Sequence, residues 1–236
     1  MRMKGSTLAA GVIVAALTTT LAPTEASAQT GATAPLVERD TAWGTVSTVS
    51  MLIGVGTVSL MPRVYYSSPD ATVGWKARWH VSALAPIMTM TAATLMMDGP
   101  VRDAIQSPRP GCTVDQTLAQ LPDSGCETFG GPSSHAYASW GAFGAGTSIF
   151  LVDTFNYSDS ELSVPSLIGN VIVPFGAAIM TSVSRSAVGG GEQGHEDTGQ
   201  VVAGAATGLI SGALVGLTYS IMQEPDCGYG GYIFCW

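Results

Sequence analysis

Charge-free runs recur along the chain. Past a polar segment ending at Asp40, no Asp, Glu, Lys or Arg occurs in 41–62, 81–97, 136–152, 162–184 or 198–223. Each run has 17 to 26 residues, the length an α-helix rising about 1.5 Å per residue needs to cross a hydrocarbon core of about 30 Å. The pattern predicts an all-α fold, a helical bundle with five transmembrane helices. The runs are rich in Gly, Ala, Ser and Thr instead of Leu, so some score weakly on a transfer scale, and a soluble bundle of buried helices is the competing expectation. In the last run Gly204, Gly208, Gly212 and Gly216 fall every fourth residue. In water each would cost about 1 kcal/mol relative to alanine, whereas between membrane helices glycine lets backbones approach. The stripe is expected to face another helix and to serve the fold.

The amino terminus reads differently. Arg2 and Lys4 form a basic start, an apolar run follows, and Ala26-Ser27-Ala28 offers a small-residue cleavage site, the features of an export signal. Residues 1–28 are therefore expected to be a cleaved signal peptide, 29–40 a polar leader, 41–223 the helical membrane domain and 224–236 a C-terminal tail. The alternative is an uncleaved first span, since 5–24 carries no charge.

Composition agrees with lipid. Of 236 residues, 46% are hydrophobic and 11% charged, less than half the roughly 25% charge of an ordinary soluble domain. The net charge is −8, and no cluster of Lys or Arg offers a surface for nucleic acid. Cleavage leaves seven cations. Arg63, Lys76 and Arg78 share the loop after the first span, so positive-inside bias places 63–78 in the cytoplasm. The leader, the 98–135 loop and the 185–197 loop then face outward, with Arg39, Arg102, Arg109 and Arg185. The expected location is the inner membrane of a bacterial-type cell envelope with an outward-facing site, or alternatively the periplasm or the medium.

Four cysteines form two local pairs, which suggests an oxidising compartment. A disulfide between Cys112 and Cys126 would pin the outer loop and contribute about 3 kcal/mol on a chain-entropy argument. Five spans place Cys227 and Cys235 in the cytoplasm, where disulfides seldom persist; either those thiols are reduced or the topology differs.

The chain has three histidines. His80 follows Trp79 at an expected membrane interface and reads as structural. His135 opens a hydrophobic run after Gly130-Gly131-Pro132-Ser133-Ser134, and His195 follows a glycine-rich segment. Both fall on the side of Arg102, Arg109 and Arg185. Guanidiniums match phosphate oxygens bidentately and stay charged at any working pH. Backbone N–H groups at a helix start add to an anion site. One imidazole can attack phosphorus while the other protonates the leaving oxygen.

Three motifs lie in order here. Residues 102–110 read Arg-Asp-Ala-Ile-Gln-Ser-Pro-Arg-Pro, 132–135 read Pro-Ser-Ser-His, and 184–185 read Ser-Arg with His195 downstream. Over about 81–216 the chain resembles the type-2 phosphatidic acid phosphatase superfamily, which includes bacterial acid phosphatases and vanadium haloperoxidases. The resemblance implies a metal-free phosphate pocket built from Arg102, Arg109, Ser133, the backbone at Ser134, and Arg185. His135 would be the general acid and His195 the nucleophile that forms a phosphohistidine. No cofactor is implied. Membrane relatives act on lipid phosphates or polyprenyl diphosphates, so the expected function is hydrolysis of a lipid-linked phosphate or diphosphate, with the lipid substrate and the bilayer as partners.

The chain departs from the family pattern in four places. Arg102 stands for the usual Lys, and Ser134 for the usual Gly. Nine residues instead of five separate Arg185 from His195; four of the nine are glycine, so the loop is expected to bulge and return His195 to the pocket. The Asp expected four residues after that histidine is Gly199, which leaves Gln200 or Asp197 as orienters of the ring. Three other readings follow: a catalytically degenerate phosphate-binding membrane protein, a soluble periplasmic acid phosphatase, and a haloperoxidase, under which alone vanadate would be the cofactor. Metal binding at His195-Glu196-Asp197 is a weaker alternative, because adjacent loop residues seldom point at one ion.

Overall fold

The computed structural model describes residues 39–67, 74–80, 84–120, 124–186, 194–222 and 234–235. The expected signal peptide and the pairing of Cys227 with Cys235 lie outside the described residues.

The described chain is mostly helical. The long elements are α1 (Thr41–Leu60), α2 (Leu84–Met96), α5 (Ser134–Tyr157), α7 (Val173–Arg185) and α8 (Thr198–Met222), with short helices α3 (Arg102–Ile105), α4 (Val114–Ala119) and α6 (Val164–Leu167) between them. Two π-helical turns interrupt the ladder, Met97–Val101 and Ile168–Ile172. Pro100 lies inside the first and Pro174 just after the second. A proline gives no N–H to the carbonyl four residues back, so the ladder widens there. The second turn joins α6 to α7, so Val164–Arg185 runs as one long helix.

Local sequence sets the helix starts. The Asp40 carboxylate accepts from Ala42 N and Trp43 N, and the Ser133 hydroxyl accepts from Ala136 N. At α8, Asp197 Oδ1 accepts from Gln200 N at 2.9 Å while Gln200 Oε1 accepts from Asp197 N at 3.0 Å. This reciprocal cap satisfies two otherwise orphaned donors.

The helices are packed around α5, which touches α1, α2, α7 and α8. The glycine stripe of α8 faces α5, and all four of its glycines are buried. A Cβ on Gly204, Gly208, Gly212 or Gly216 would meet the backbone of Ser133, Tyr137, Gly141 or Ala145 respectively. The interior between helices is small or polar: Ser47, Ser139, Ser166, Asn170, Thr181 and Ser220 are all buried. Large apolar side chains point outward instead, among them Leu52, Leu60, Met88, Leu95, Phe155, Leu214 and Ile221. Among the described residues three helices are long and apolar enough to cross a membrane, Thr41–Leu60, Val164–Arg185 and Thr198–Met222. Of the other two runs expected to span, one folds as α2, which is 13 residues long, and the other as α5, whose 24 residues are rich in Gly, Ala and Ser.

The bundle carries a small sheet where only a loop was expected. Strands β1 (Arg63–Ser67) and β2 (Gly74–His80) form an antiparallel hairpin, and β3 (Phe234–Cys235) pairs parallel with the end of β2. Strong strand formers carry it: Tyr65, Tyr66, Trp75 and Trp79. The hairpin is fastened to the C-terminal end of α5. Arg63 forms a buried ion pair with Asp153, its Nε lying 3.0 Å from Oδ1, and Tyr66 N donates to Ser158 Oγ at 2.9 Å. Asp153 lies 18 positions beyond His135, a rise of roughly 27 Å along α5. Hairpin and histidine thus occupy opposite ends of that helix.

Candidate active site

The three motifs converge at the N-terminal end of α5. Asp98, in the turn after α2, pairs with Arg102 one helical turn on and also accepts from Ser134 Oγ at 2.8 Å. Arg102 Nη1 donates to Phe129 O at 3.2 Å. Arg109 bridges two segments: its Nε and Nη2 donate to Thr128, and its Nη1 donates to His195 O at 2.9 Å. Five guanidinium donors minus these leave one N–H on each terminal nitrogen. The loop bearing Arg109 is closed by the Cys112–Cys126 disulfide.

The base of the enlarged third motif is closed by main chain. Glu196 N donates to Arg185 O at 3.0 Å, and Ser186 bridges to Glu196 in parallel. His195 is therefore brought beside Arg185 by pairing at the loop's neck, whatever the number of residues in between. Glu196 itself, absent from the expected site, lies at its centre. Its Oε1 accepts from Arg185 Nη2 at 2.6 Å. Burial opposes its charge, but Arg185 beside it, the Ser133 hydroxyl and Arg109 hold its carboxyl below the usual range.

The rings of both histidines are held from α1. His195 Nε2 lies 2.9 Å from the Asp40 carbonyl; a carbonyl only accepts, so this nitrogen carries hydrogen and the neutral ring has its lone pair on Nδ1. His135 Nε2 lies 3.4 Å from Thr48 Oγ1, whose own hydrogen goes to Gly44 O. His135 Nδ1 is buried without a partner among the described residues. Arg39 locks the covering segment down, donating to Gly194 O at 2.6 Å and to Pro110 O and Gly125 O at 3.0 Å each. The sequence predicts only a polar leader here; the signal for its role, an Arg-Asp pair before a helix, carries no spacing that points 155 residues away.

The grouping has electrostatic consequences. Arg109 is pulled down to about 10, by burial first, against Glu196, with Arg185, Arg102 and Arg39 adding repulsion. His135, just before the 136–152 run, is pushed down to about 4 by burial and then by Arg185, partly offset by Glu196, with Arg109 and His195 adding. His195 is lowered by burial, then raised in part by its bond to Asp40. The side chains of the sequence-predicted site thus sense one another, but their bonding differs from expectation. Asp197 and Gln200 do not bond the His195 ring. They cap α8, and Gln200 Nε2 donates to Ser107 Oγ at 2.8 Å and Pro108 O at 2.7 Å. His195, Glu196 and Asp197 diverge toward Asp40, Arg185 and the α8 cap respectively.

Two spaces adjoin the site. A polar cleft of about 400 Å³ is lined by Asp98, Arg102, Glu127 and Thr128. An apolar groove of about 240 Å³ between α1, α2 and α5 runs past Met51, Val55, Ile87, Met90 and Leu95. Its upper wall includes Ala138, less than one turn from His135. No family model, curated protein or solved structure matches the chain.

Proposed function

We propose that the protein is a membrane phosphatase that hydrolyses a lipid-linked phosphate or diphosphate through a phosphohistidine. The observation that carries this reading is the meeting of Arg102, Arg109, Arg185, His135 and His195 at one end of the bundle, with the Nε atoms of Arg102 and Arg185 buried and unpartnered among the described residues. A phosphate anion is the ligand class that such donors recognise. His195 Nδ1 would form the N–P bond as the P–O bond to the lipid alcohol breaks. The leaving oxygen would take its proton from His135, and water would then cleave the N–P bond. Burial first, and then the Arg185 and Arg109 charges, keep His135 neutral; a bound anion offsets the charges, so binding itself would help to arm the acid.

Outward-facing Leu, Ile, Phe and Met side chains favour a lipid environment over the soluble alternative. The groove beside His135 offers a place for an apolar tail. In this reading all five apolar runs cross the bilayer, the Arg63 hairpin is cytoplasmic, and the site faces the outside of a cell envelope. The test is phosphate release from a lipid phosphate in detergent. His195→Ala and Arg109→Ala should each abolish it while circular dichroism stays unchanged; retained activity in either would reject the reading.

A second reading is a phosphate-binding relative without catalysis. Two contacts favour it: Glu196 occupies a terminal nitrogen of Arg185, and Asp40 holds the His195 nitrogen that faces α1. Acid-labile phosphate trapped on His195 during turnover would decide for the enzyme.

A further inference from the structure

The unpartnered polar atoms around this site differ in what they require. Among the described residues Arg102 Nε and Arg185 Nε are donors without an acceptor, on residues 7% and 6% exposed, while Glu196 Oε2 is an acceptor without a donor, on a residue 2% exposed. Burial without a partner is unfavourable for each of them. Two N–H donors ask for anion oxygens. A carboxylate oxygen beside the same anion repels it, unless that anion carries a hydrogen to donate. A tetrahedral oxyanion without a proton therefore suits the guanidiniums and conflicts with Glu196. The same oxyanion with one P–OH suits all three, its bare oxygens accepting from the arginines and its hydroxyl donating to Oε2.

We infer that Glu196 is a specificity-determining residue that makes this site select a phosphate group bearing one proton and reject oxyanions that have none. The inference rests on the phosphate-site reading above and adds to it the protonation state of the ligand. The groups facing Glu196 cannot supply that proton. Arg185 reaches it from α7, Arg102 from α3 and Arg109 from the loop after it; these guanidiniums keep the carboxyl ionised. His135 from the start of α5 is lowered by burial first and then by Arg185, His195 next to Glu196 is lowered by burial as well, and the Ser133 hydroxyl, which bonds the carboxylate, still leaves Oε2 without a partner. The proton has to arrive on the ligand. A phosphate monoester has one below its second ionisation, near pH 6, and inorganic phosphate, the product, keeps one above it.

Inorganic phosphate and sulfate provide a matched pair. At about pH 8, above the phosphate's second ionisation, both are tetrahedral dianions, and only phosphate carries a proton. Titrated calorimetrically into the full-length protein in detergent, phosphate should bind about tenfold or more tightly than sulfate, the equivalent of one charge-assisted hydrogen bond. In Glu196→Gln the amide can donate to a bare oxygen, so the preference should collapse to near unity through a gain in sulfate affinity. The wild-type ratio decides by itself if that variant does not fold. Equal binding of the two anions by the wild type, or an unchanged ratio in Glu196→Gln, would overturn the role of Glu196 and leave the phosphate site standing. Binding of neither anion would overturn both.

Discussion

The Nε2 of His195 donates to the main-chain carbonyl of Asp40 at 2.9 Å, across 155 positions of sequence. The contact fixes the tautomer of the ring and ties it to the first turn of α1. Gly44, on that turn, makes room for it: a Cβ there would sit 2.9 Å from Nε2 and 3.1 Å from Cε1. Gly44→Ala should push the ring off the carbonyl and forfeit a hydrogen bond worth about 1 kcal/mol. The displaced ring should show a changed imidazole resonance by NMR, and phosphate release should fall about tenfold or more. Gly56→Ala on the same helix meets nothing within 4 Å and should leave both readouts unchanged. An unaltered His195 resonance in Gly44→Ala would remove α1 from the site.

The contact of α5 with α8 gives a second contrast. A Cβ at Gly208 or Gly212 would press on the backbone of Tyr137 or Gly141, which cannot move aside as a flexible side chain would. Overpacking of this kind costs about 1 to 3 kcal/mol or more. Gly176→Ala in α7 meets open space and removes a helix-interior glycine, worth up to about 1 kcal/mol in the opposite direction. Thermal midpoints in detergent should therefore fall for Gly208→Ala and Gly212→Ala and hold or rise for Gly176→Ala. Equal shifts in all three would mean that the stripe is not a packing surface.

That stripe was legible because four glycines at one spacing form a local, periodic signal. The helical runs were legible for the same reason, and the motif residues because each motif is short. What sequence missed is mostly non-local or ambiguous. Arg39 and Asp40 act on residues 71 to 155 positions away, and no spacing announces such a contact. Asp98 stands one helical turn before Arg102, a spacing that usually marks a solvated helix face, and Glu196 stands eleven positions after Arg185, across a loop whose closure no local pattern announces. The hairpin was hidden by its charges, which dominated the reading of 63–78 as a loop, although Tyr65, Tyr66 and Trp75 carried strand propensity. Asp197 and Gln200 stand near enough to His195 in sequence to suggest a reach to its ring, while Asp-x-x-Gln before an apolar run is also a helix-start signature, and that is how the chain uses it.

The Arg63 to Asp153 pair should be among the strongest anchors outside the site. Both side chains are buried, and Arg63 also lies 5.5 Å from the ring centroid of Tyr157 and 5.6 Å from that of Tyr219. Removing Asp153 leaves the buried Arg63 charge without its carboxylate, at about 3 to 5 kcal/mol. Asp153→Ala should thus destabilise more than the double variant Arg63→Met with Asp153→Leu, which removes both charges. Chemical denaturation of the purified protein measures the difference. A double variant less stable than Asp153→Ala would show that the pair contributes more than mutual neutralisation.

Acid sensitivity should report on the site itself. A histidine held below its unfolded value of 6.5 stays neutral in the native state while the unfolded chain takes up a proton, so stability falls as pH drops through that interval. For His135 the interval runs from 6.5 to about 4, and His195 acts in the same direction. Glu196, held below 4.5, extends the loss further, because its carboxyl is protonated in the unfolded chain before it is in the folded one. The thermal midpoint should therefore decline from pH 6.5 to pH 4, and His135→Asn should flatten that slope whatever its effect on absolute stability. Inorganic phosphate should flatten it too, since an anion beside Arg185 and Arg109 offsets the charges that depress the ring. A wild-type slope that neither the substitution nor phosphate changes would place His135 outside the field of those arginines.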